Sequence, residues 1–462
     1  MSRYLRWLLP GLGLKRWLML SVVGVFLIGL GISMGFRGNI YSRIEFWLML
    51  RIDYTSKFFS WAPWVISLLL VAAGFAFAIG GTSRAIRAVL QTLTVQPEGI
   101  SEAYYQRRFL LRGPKVVAIG GGTGIPTLLR GLKKYTSNIG AVITVADDGG
   151  SSGRLRTEFG ILPPGDIRNS LVALADTEPL MEKLFQHRFG HGEGLEGHPF
   201  GNLFILAMTE TTGNFYDAVR ACSQVLAIRG RVMPSTLDQV TLKAQLTTGE
   251  ILIGESHVGK SPSPIRRVFL ERIAPGEDGS SDIRPLGDAL QAIADAEVLV
   301  LGPGSLYTSI IPNLLVPGVT EAIRRSKALK VYVCNIMTEP GETEGYTVSQ
   351  HLRALVDHAG YGIIDVCVAN NRPVDETFLK RYLEQRAIPV AVDPREVQRL
   401  GVELIQTDLV DVNRGFVRHD SEKLARTVGN LFLKRKAYLA RTPWDFYLLR
   451  QRLETSLREE NH

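Results

Sequence analysis

The chain has 462 residues, 45% hydrophobic and 21% charged, which excludes a disordered polymer and supplies a core large enough for two or three structural units. Its formal net charge of +8 does not argue for nucleic-acid binding, because residues 1–112 carry 13 Lys or Arg against 4 Asp or Glu while residues 113–462 carry 40 against 41. Three widely spaced cysteines, Cys222, Cys334 and Cys367, form neither zinc spacing nor a disulfide framework and read as buried free thiols in a reducing compartment.

In chain order, residues 17–35 and 61–81 each run without a charge for about 20 residues, the length that ~30 Å of hydrocarbon requires. A signal peptide is the alternative for the first run, but no small-x-small cleavage site follows and a second run comes soon after. Arg37, Arg43, Arg51 and Lys57 lie between the runs, and Trp17, Trp61 and Trp64 sit at interfacial positions. Residues 1–81 are therefore predicted to form a two-helix transmembrane hairpin. Nine Lys or Arg lie before the first span or in residues 82–112 after the second, against four between the spans, which favours cytoplasmic termini. The expected location is the inner (cytoplasmic) membrane, multi-pass, with the soluble domain facing the cytoplasm and anionic lipid as its basic segment's partner.

Residues 82–112 read as a linker, broken at Gln96-Pro-Glu-Gly99. From Lys115 onward, apolar runs at 115–119, 141–146, 297–301, 330–335 and 363–369 alternate with helical patterns. They are apolar on both faces, as parallel strands covered by helices on two sides must be. The predicted fold of 113–420 is α/β, a Rossmann-like doubly wound, mostly parallel sheet. Thr241–Gly254 reads as a hairpin and Val268–Ile273 as a further strand, giving an antiparallel insert. Residues 421–462 form a basic helical tail that either closes the domain or touches a membrane surface.

Three glycine-rich loops follow strand candidates, and in an open parallel sheet all three should face one cleft. Gly120-Gly121-Gly122-Thr123-Gly124 leads into a helix with Pro126 just inside it, an arrangement that offers backbone N–H groups and a helix N-terminus to a phosphate. Asp147-Asp148-Gly-Gly-Ser151-Ser-Gly153 follows the second strand, with Asp147 23 residues beyond Gly124, where a dinucleotide fold places a ribose-binding carboxylate. At most one of Asp147 and Asp148 is expected to address a ribose or a metal, since neighbouring strand side chains point apart, and Asp148 reads equally as a turn cap. Gly302-Pro-Gly304-Ser305 is a second anion-binding turn, beside which Tyr307 either stacks on a base or sugar or packs at the rim.

Two further motifs add polar groups. Pro163-Pro-Gly-Asp166-Ile-Arg-Asn169 gathers a carboxylate, a guanidinium and a carboxamide at a helix start, where Asp166 is either a ligand or an N-cap. In His198-Pro-Phe-Gly-Asn202 the carboxamide either bonds a sugar or phosphate or opens the helix 203–211, and the lone histidine is weak evidence for a general base. There is no Ser-His-Asp pattern, no zinc spacing and no P-loop lysine after the glycines, which disfavours an ATPase. Departure from G-x-G-x-x-G disfavours a NAD-dependent oxidoreductase.

In this order, Gly120–Gly124, Asp147–Gly153 with Pro163–Asn169, Gly201-Asn-Leu203 and Gly302–Ser309 resemble the CofD superfamily, and within it the YvcK branch of gluconeogenesis factors. The resemblance covers about residues 113–370 and leaves the first 81 residues and the tail outside it. It implies a Rossmann-like domain that binds nucleotide diphosphates. The YvcK branch is similar to proteins that bind UDP-sugars such as UDP-N-acetylglucosamine and link carbon metabolism to cell-wall precursor supply and cell shape. The CofD branch transfers a phospholactyl-type group from a guanosine diphosphate derivative to a deazaflavin alcohol with Mg2+.

The first expectation is thus a regulatory binding protein in which Gly121, Gly122 and Thr123 hold the diphosphate, Asp147 and Asn202 the ribose or sugar, and Ser305 and Tyr307 close over the ligand. The second is a 2-phospho-L-lactate transferase-like enzyme with Asp147 or Asp148 on Mg2+. No catalytic residue is assigned, and a homo-oligomer is left open.

Overall fold

A computed structural model describes residues 14–35, 62–92, 110–176, 179–274, 280–411 and 416–437. The chain divides into two compact units, Met1–Arg107 and Arg108–His462.

Among the described residues the first unit shows two antiparallel helices, Leu14–Gly35 and Ala62–Thr92; the second runs on into the predicted linker. Small residues bring their backbones together. A Cβ on Gly74 would sit 2.7 Å from Gly24 O and 2.8 Å from Ile28 N, and one on Gly81 would sit 2.7 Å from Trp17 O. Ser67 Oγ donates to Gly31 O at 2.6 Å, and Ser21 Oγ lies 3.1 Å from Thr82 Oγ1. By length and composition both helices are candidates to cross a membrane, and only 11% and 17% of their apolar windows are buried. Their outward faces show Met19, Val22, Phe26, Leu68, Leu69 and Ile79, each more than 60% exposed.

The second unit holds a seven-stranded sheet. Its strands are β1 (Val116–Gly120), β2 (Ile139–Ile143) and β3 (Arg231–Pro234), then, after an insert of β4 (Val240–Leu246), β5 (Ile251–Ile253) and β6 (Ile265–Arg272), β7 (Val298–Leu301), β8 (Leu329–Val333), β9 (Val366–Asn370) and β10 (Glu403–Thr407). The order is β10-β9-β8-β7-β1-β2-β3 and every pairing in it is parallel. Every residue of β1, β2, β7 and β8 is buried, the pattern of strands covered on two faces. The insert is a separate antiparallel sheet in the order β5-β4-β6, with β4 alternating buried and half-buried residues as a one-sided strand does.

From β1 the chain winds outward through β2 to β3, then returns beside β1 as β7 and winds the other way to β10. The strand order therefore reverses between β1 and β7, and the crevice beyond their carboxyl ends is where such sheets bind ligands. The helix Ser421–Ala437 lies on the helix Gly124–Leu132, with Leu424 and Ala425 buried and Lys134 bonded to Glu422 at 2.6 Å. Its first half thus closes the domain; residues 438–462, to which the tail prediction also extended, lie outside the described residues.

Candidate functional site

The glycine loops after β1 and β7 meet at the reversal point. A Cβ on Gly124 would lie 2.6 Å from Pro303 C and 3.0 Å from Gly304 N, so only glycine lets the start of the helix Gly124–Leu132 touch the Gly302–Gly304 turn. Gly122 adopts φ +62°, a backbone that L side chains rarely take, and Gly302–Pro303 is a cis peptide. Gly122, Thr123, Gly124, Gly304 and Ser305 together line an open cleft of about 330 Å³, within the range of small-ligand pockets. Its far wall comes from the loop after β8, including Asn335 and Glu339, and from Tyr382 and Phe416–His419.

Next to the Gly122 loop lies a group of acids drawn from the loop after β2, the start of the helix Gly165–Leu174 and the insert, none of them in the lining of the cleft. Asp166, in the first turn of the helix Gly165–Leu174, does not cap its own helix; Oδ2 accepts the Gly122 N–H at 2.7 Å. Burial and the neighbouring Asp147 push its carboxyl up to about 6, against the pull of the Gly122 N–H and Arg168. Asp147 accepts Gly149 N–H through Oδ1 at 2.9 Å, and no described residue hydrogen-bonds its Oδ2. Glu255, from the insert, is pushed up to about 7 by burial and by Asp147, Asp148 and Asp166.

Asp148 has a different task. Its Oδ1 accepts the Ser256 N–H at 2.9 Å and the Ser256 hydroxyl at 2.5 Å, so it caps the short helix Glu255–Val258 and fastens the insert to the β2 loop. Asn202 and Ser151 are also internal. The helix begins at Phe200, ahead of the predicted 203, and leaves Asn202 1% exposed. Its amide donates to Ser151 Oγ at 2.9 Å and accepts from Arg168 Nη1 at 2.7 Å, while Asn169 Oδ1 accepts from Arg168 Nη2 at 2.8 Å and His198 Nδ1 lies 2.8 Å from Ser151 Oγ. These residues engage one another and the Arg168 guanidinium, whose charge pulls the Asp166 carboxyl down, and none of them lines the cleft.

Tyr307 is 3% exposed, its hydroxyl 3.0 Å from that of Tyr346, and it does not line the cleft. The wide helical turn Leu306–Ile310 is buried throughout, which turns the ring into the core instead of over a ligand. Beneath it, Glu342 accepts the Tyr307 N–H at 3.0 Å and the Thr308 hydroxyl at 2.8 Å. Asn335, Glu339, Glu342, Glu255 and Phe416 were not picked out from the sequence. The turn-rich run Glu339-Pro-Gly-Glu342 directly after a predicted strand was the available signal.

Asp166 is expected to make stability pH-dependent. Its folded pKa lies above the unfolded value of roughly 3.9, so the folded chain keeps a proton that the unfolded chain releases, and stability falls as pH rises from about 4 to about 6. Asp166→Asn should exceed the parent protein by about 1–2 kcal/mol at pH 8 and lose that advantage near pH 4, read by denaturant unfolding at both pH values. A pH-independent difference would contradict the burial argument.

A family profile described as 2-phospho-L-lactate transferase CofD matches residues 116–410. The Gluconeogenesis factor of Halalkalibacterium halodurans is 47% identical, covering 69% of this chain and 96% of its own length. That of Bacillus subtilis (strain 168) is 46% identical, covering 69% and 98%. A relative from Clostridium acetobutylicum is 40% identical over 471 residues and covers 99% of both chains, the front unit included. A crystal structure of protein BH3568 from Bacillus halodurans, a member of the UPF0052 family, superposes with a TM-score of 0.65 at 48% identity, covering 68% of this chain and 99% of that one. With the motifs, the sheet order and these likenesses in agreement, the chain belongs to the gluconeogenesis-factor group of the CofD family.

Proposed function

We propose that this protein binds a nucleotide diphosphate of the UDP-sugar type, such as UDP-N-acetylglucosamine, and acts as a regulator that links carbon metabolism to cell-wall precursor supply and cell shape. The observation that carries the reading is the direct contact of the two glycine loops at the β1/β7 reversal point, at the mouth of an open cleft. The N–H groups of Gly122, Thr123 and Gly124, at the N-terminus of the helix Gly124–Leu132, are the donors for the diphosphate, with Gly304 and Ser305 opposite. Because Asp166 holds the Gly122 N–H in the free protein, an incoming phosphate displaces it. The first unit anchors the protein in the cytoplasmic membrane as a multi-pass hairpin.

Calorimetry on the full chain in detergent tests this. UDP-N-acetylglucosamine and inorganic pyrophosphate should both give saturable heats, and the absence of heat for both would remove the reading.

A second reading, a Mg2+-dependent transferase, draws support from Asp147 beside Asp166. Among the described residues no three His, Cys, Asp or Glu come together to hold a metal, but Mg2+ on a nucleotide needs only one or two carboxylates plus phosphate oxygens. Asp147 fits that role and Asp148, engaged by Ser256, does not. Release of GMP from a phospholactyl-guanosine diphosphate donor in the presence of a deazaflavin alcohol would establish the transferase.

A further inference from the structure

We propose that the arm of the cleft beyond the glycine cradle binds the nucleoside half of the ligand, with Glu339 taking the ribose diol and the Phe416 stack facing the base. This rests on the diphosphate reading above, and it assigns to β8 the sugar contact that sequence spacing had given to Asp147 after β2.

The argument starts from position. β8 lies next to β7, so its carboxyl end adjoins the reversal point, and the cleft is continuous from Gly122 to Glu339, with no residue of the Asp147–Gly153 loop in its lining. A ligand whose phosphates lie on Gly122–Gly124 and whose body fills this cleft meets the β8 loop rather than the β2 loop.

The loop is also built to hold one carboxylate still. Asn335 and Gly304 exchange hydrogen bonds, Gly304 N–H to Oδ1 at 3.3 Å and Nδ2 to Gly304 O at 3.0 Å, which ties the β8 loop to the phosphate-binding turn. The same Nδ2 donates to Glu339 Oε1 at 3.1 Å, and the Ser305 hydroxyl also bonds the Glu339 carboxyl. The Glu339 N–H is held by Thr343 Oγ1 at 2.9 Å. A carboxylate has about four acceptor positions, so two donors from the protein leave it able to accept from both hydroxyls of a vicinal diol. Just below, both oxygens of the buried Glu342 are occupied by Tyr307 and Thr308, so Glu342 supports the loop and Glu339 alone addresses the cleft.

Farther along, Phe416 is 45% exposed, with the guanidinium carbons of Arg381 and Arg418 at 4.7 and 5.8 Å from its ring centroid. An aromatic and guanidinium stack on the wall of a cleft is a planar surface against which a nucleobase packs, and it is tolerant of base identity.

The test compares three probes, inorganic pyrophosphate, UDP and UDP-N-acetylglucosamine, on the full-length parent protein and on Glu339→Gln and Phe416→Ala, by calorimetry. Phe416 is an exposed side chain, so its truncation leaves the fold intact even should Glu339→Gln disturb the loop. Both variants should bind UDP and UDP-N-acetylglucosamine at least tenfold more weakly and pyrophosphate unchanged. Weakening of UDP-N-acetylglucosamine alone would assign this arm to the hexose and overturn the proposal, as would unchanged affinities or an equal loss for pyrophosphate. Parent protein that binds pyrophosphate but not UDP would overturn the nucleoside assignment and leave the phosphate cradle standing. Parent protein that binds none of the three would remove the diphosphate reading itself.

Discussion

Replacing Gly122 with valine is expected to abolish UDP-N-acetylglucosamine binding, at least a hundredfold in affinity, while leaving a folded protein. The folded state tolerates the new Cβ, whose nearest neighbour would be Ser309 Oγ at 3.3 Å. The cost to stability is that of a left-handed backbone at φ +62°, about 1–2 kcal/mol for a residue other than glycine. The cost to binding is larger because Gly122 lines the cleft and the valine methyl groups occupy the space in which a phosphate approaches the backbone N–H. Gly124→Val should behave differently. Its Cβ collides with the Pro303–Gly304 backbone, so the tips of β1 and β7 must separate, and a loss of about 3 kcal/mol in folding stability should accompany the loss of binding. Calorimetry with denaturant unfolding separates the two variants; full affinity in Gly122→Val would eliminate the cradle.

These glycines were legible in the sequence because their task is set by the main chain, and a backbone that must be left-handed or approach another backbone closely selects glycine whatever surrounds it. The same holds for the central strands. β1, β2, β7, β8 and β9 are covered on two faces and so appear as continuous apolar runs. The sheet's two edges, β3 and β10, were missed for the converse reason: Arg231-Val-Met-Pro234 and Glu403-Leu-Ile-Gln-Thr407 each have only one neighbour, carry exposed polar ends and lack the run. The run at 141–146 outlasts β2 because Val145 and Ala146 are buried in the loop that follows, where burial without a ladder still demands apolar side chains.

Side-chain roles were far less legible, since each depends on a partner distant in sequence. Asp148 reaches Ser256, 108 residues away, and Asp166 turns back 44 residues to Gly122. Asn202 is drawn inward by Ser151 and Arg168. Nothing local distinguishes an aspartate that will cap a foreign helix from one that will meet a ribose. The acids that gather around Asp147 are stabilised by no ion pair among the described residues, and raised pKa values of this kind are typical of sites that meet a cation or a ligand.

The full-length chain is expected to sediment with membranes, resist carbonate extraction and enter solution only with detergent, while a chain lacking residues 1–107 should be soluble. In water the outward faces of Leu14–Gly35 and Ala62–Thr92 would leave side chains such as Met19, Phe26, Leu68 and Ile79 uncovered at about 25 cal/mol per Å² of apolar surface. In hydrocarbon the same faces are in their own solvent. Only 11% and 17% of the two apolar windows are buried, and a core hairpin of a soluble protein would instead put the full chain in the soluble fraction. The Gly24–Gly74 and Trp17–Gly81 approaches and the Ser67 to Gly31 bond make the first helix the packing partner of the second, whereas a cleaved signal would leave the purified chain without it. Close glycine contacts with serine hydrogen bonds are how helices associate where lipid supplies no hydrophobic drive. Gly74→Ile should therefore weaken the hairpin while leaving membrane attachment intact, whereas Phe26→Arg, at an exposed mid-helix position, should cost about 2.5–3.5 kcal/mol of insertion. Mass spectrometry of the purified protein should find residues 1–35 still attached. Intact chain in the soluble fraction would defeat the membrane assignment, and the expected cytoplasmic termini predict that protease added outside sealed, right-side-out vesicles leaves Arg108–His462 untouched.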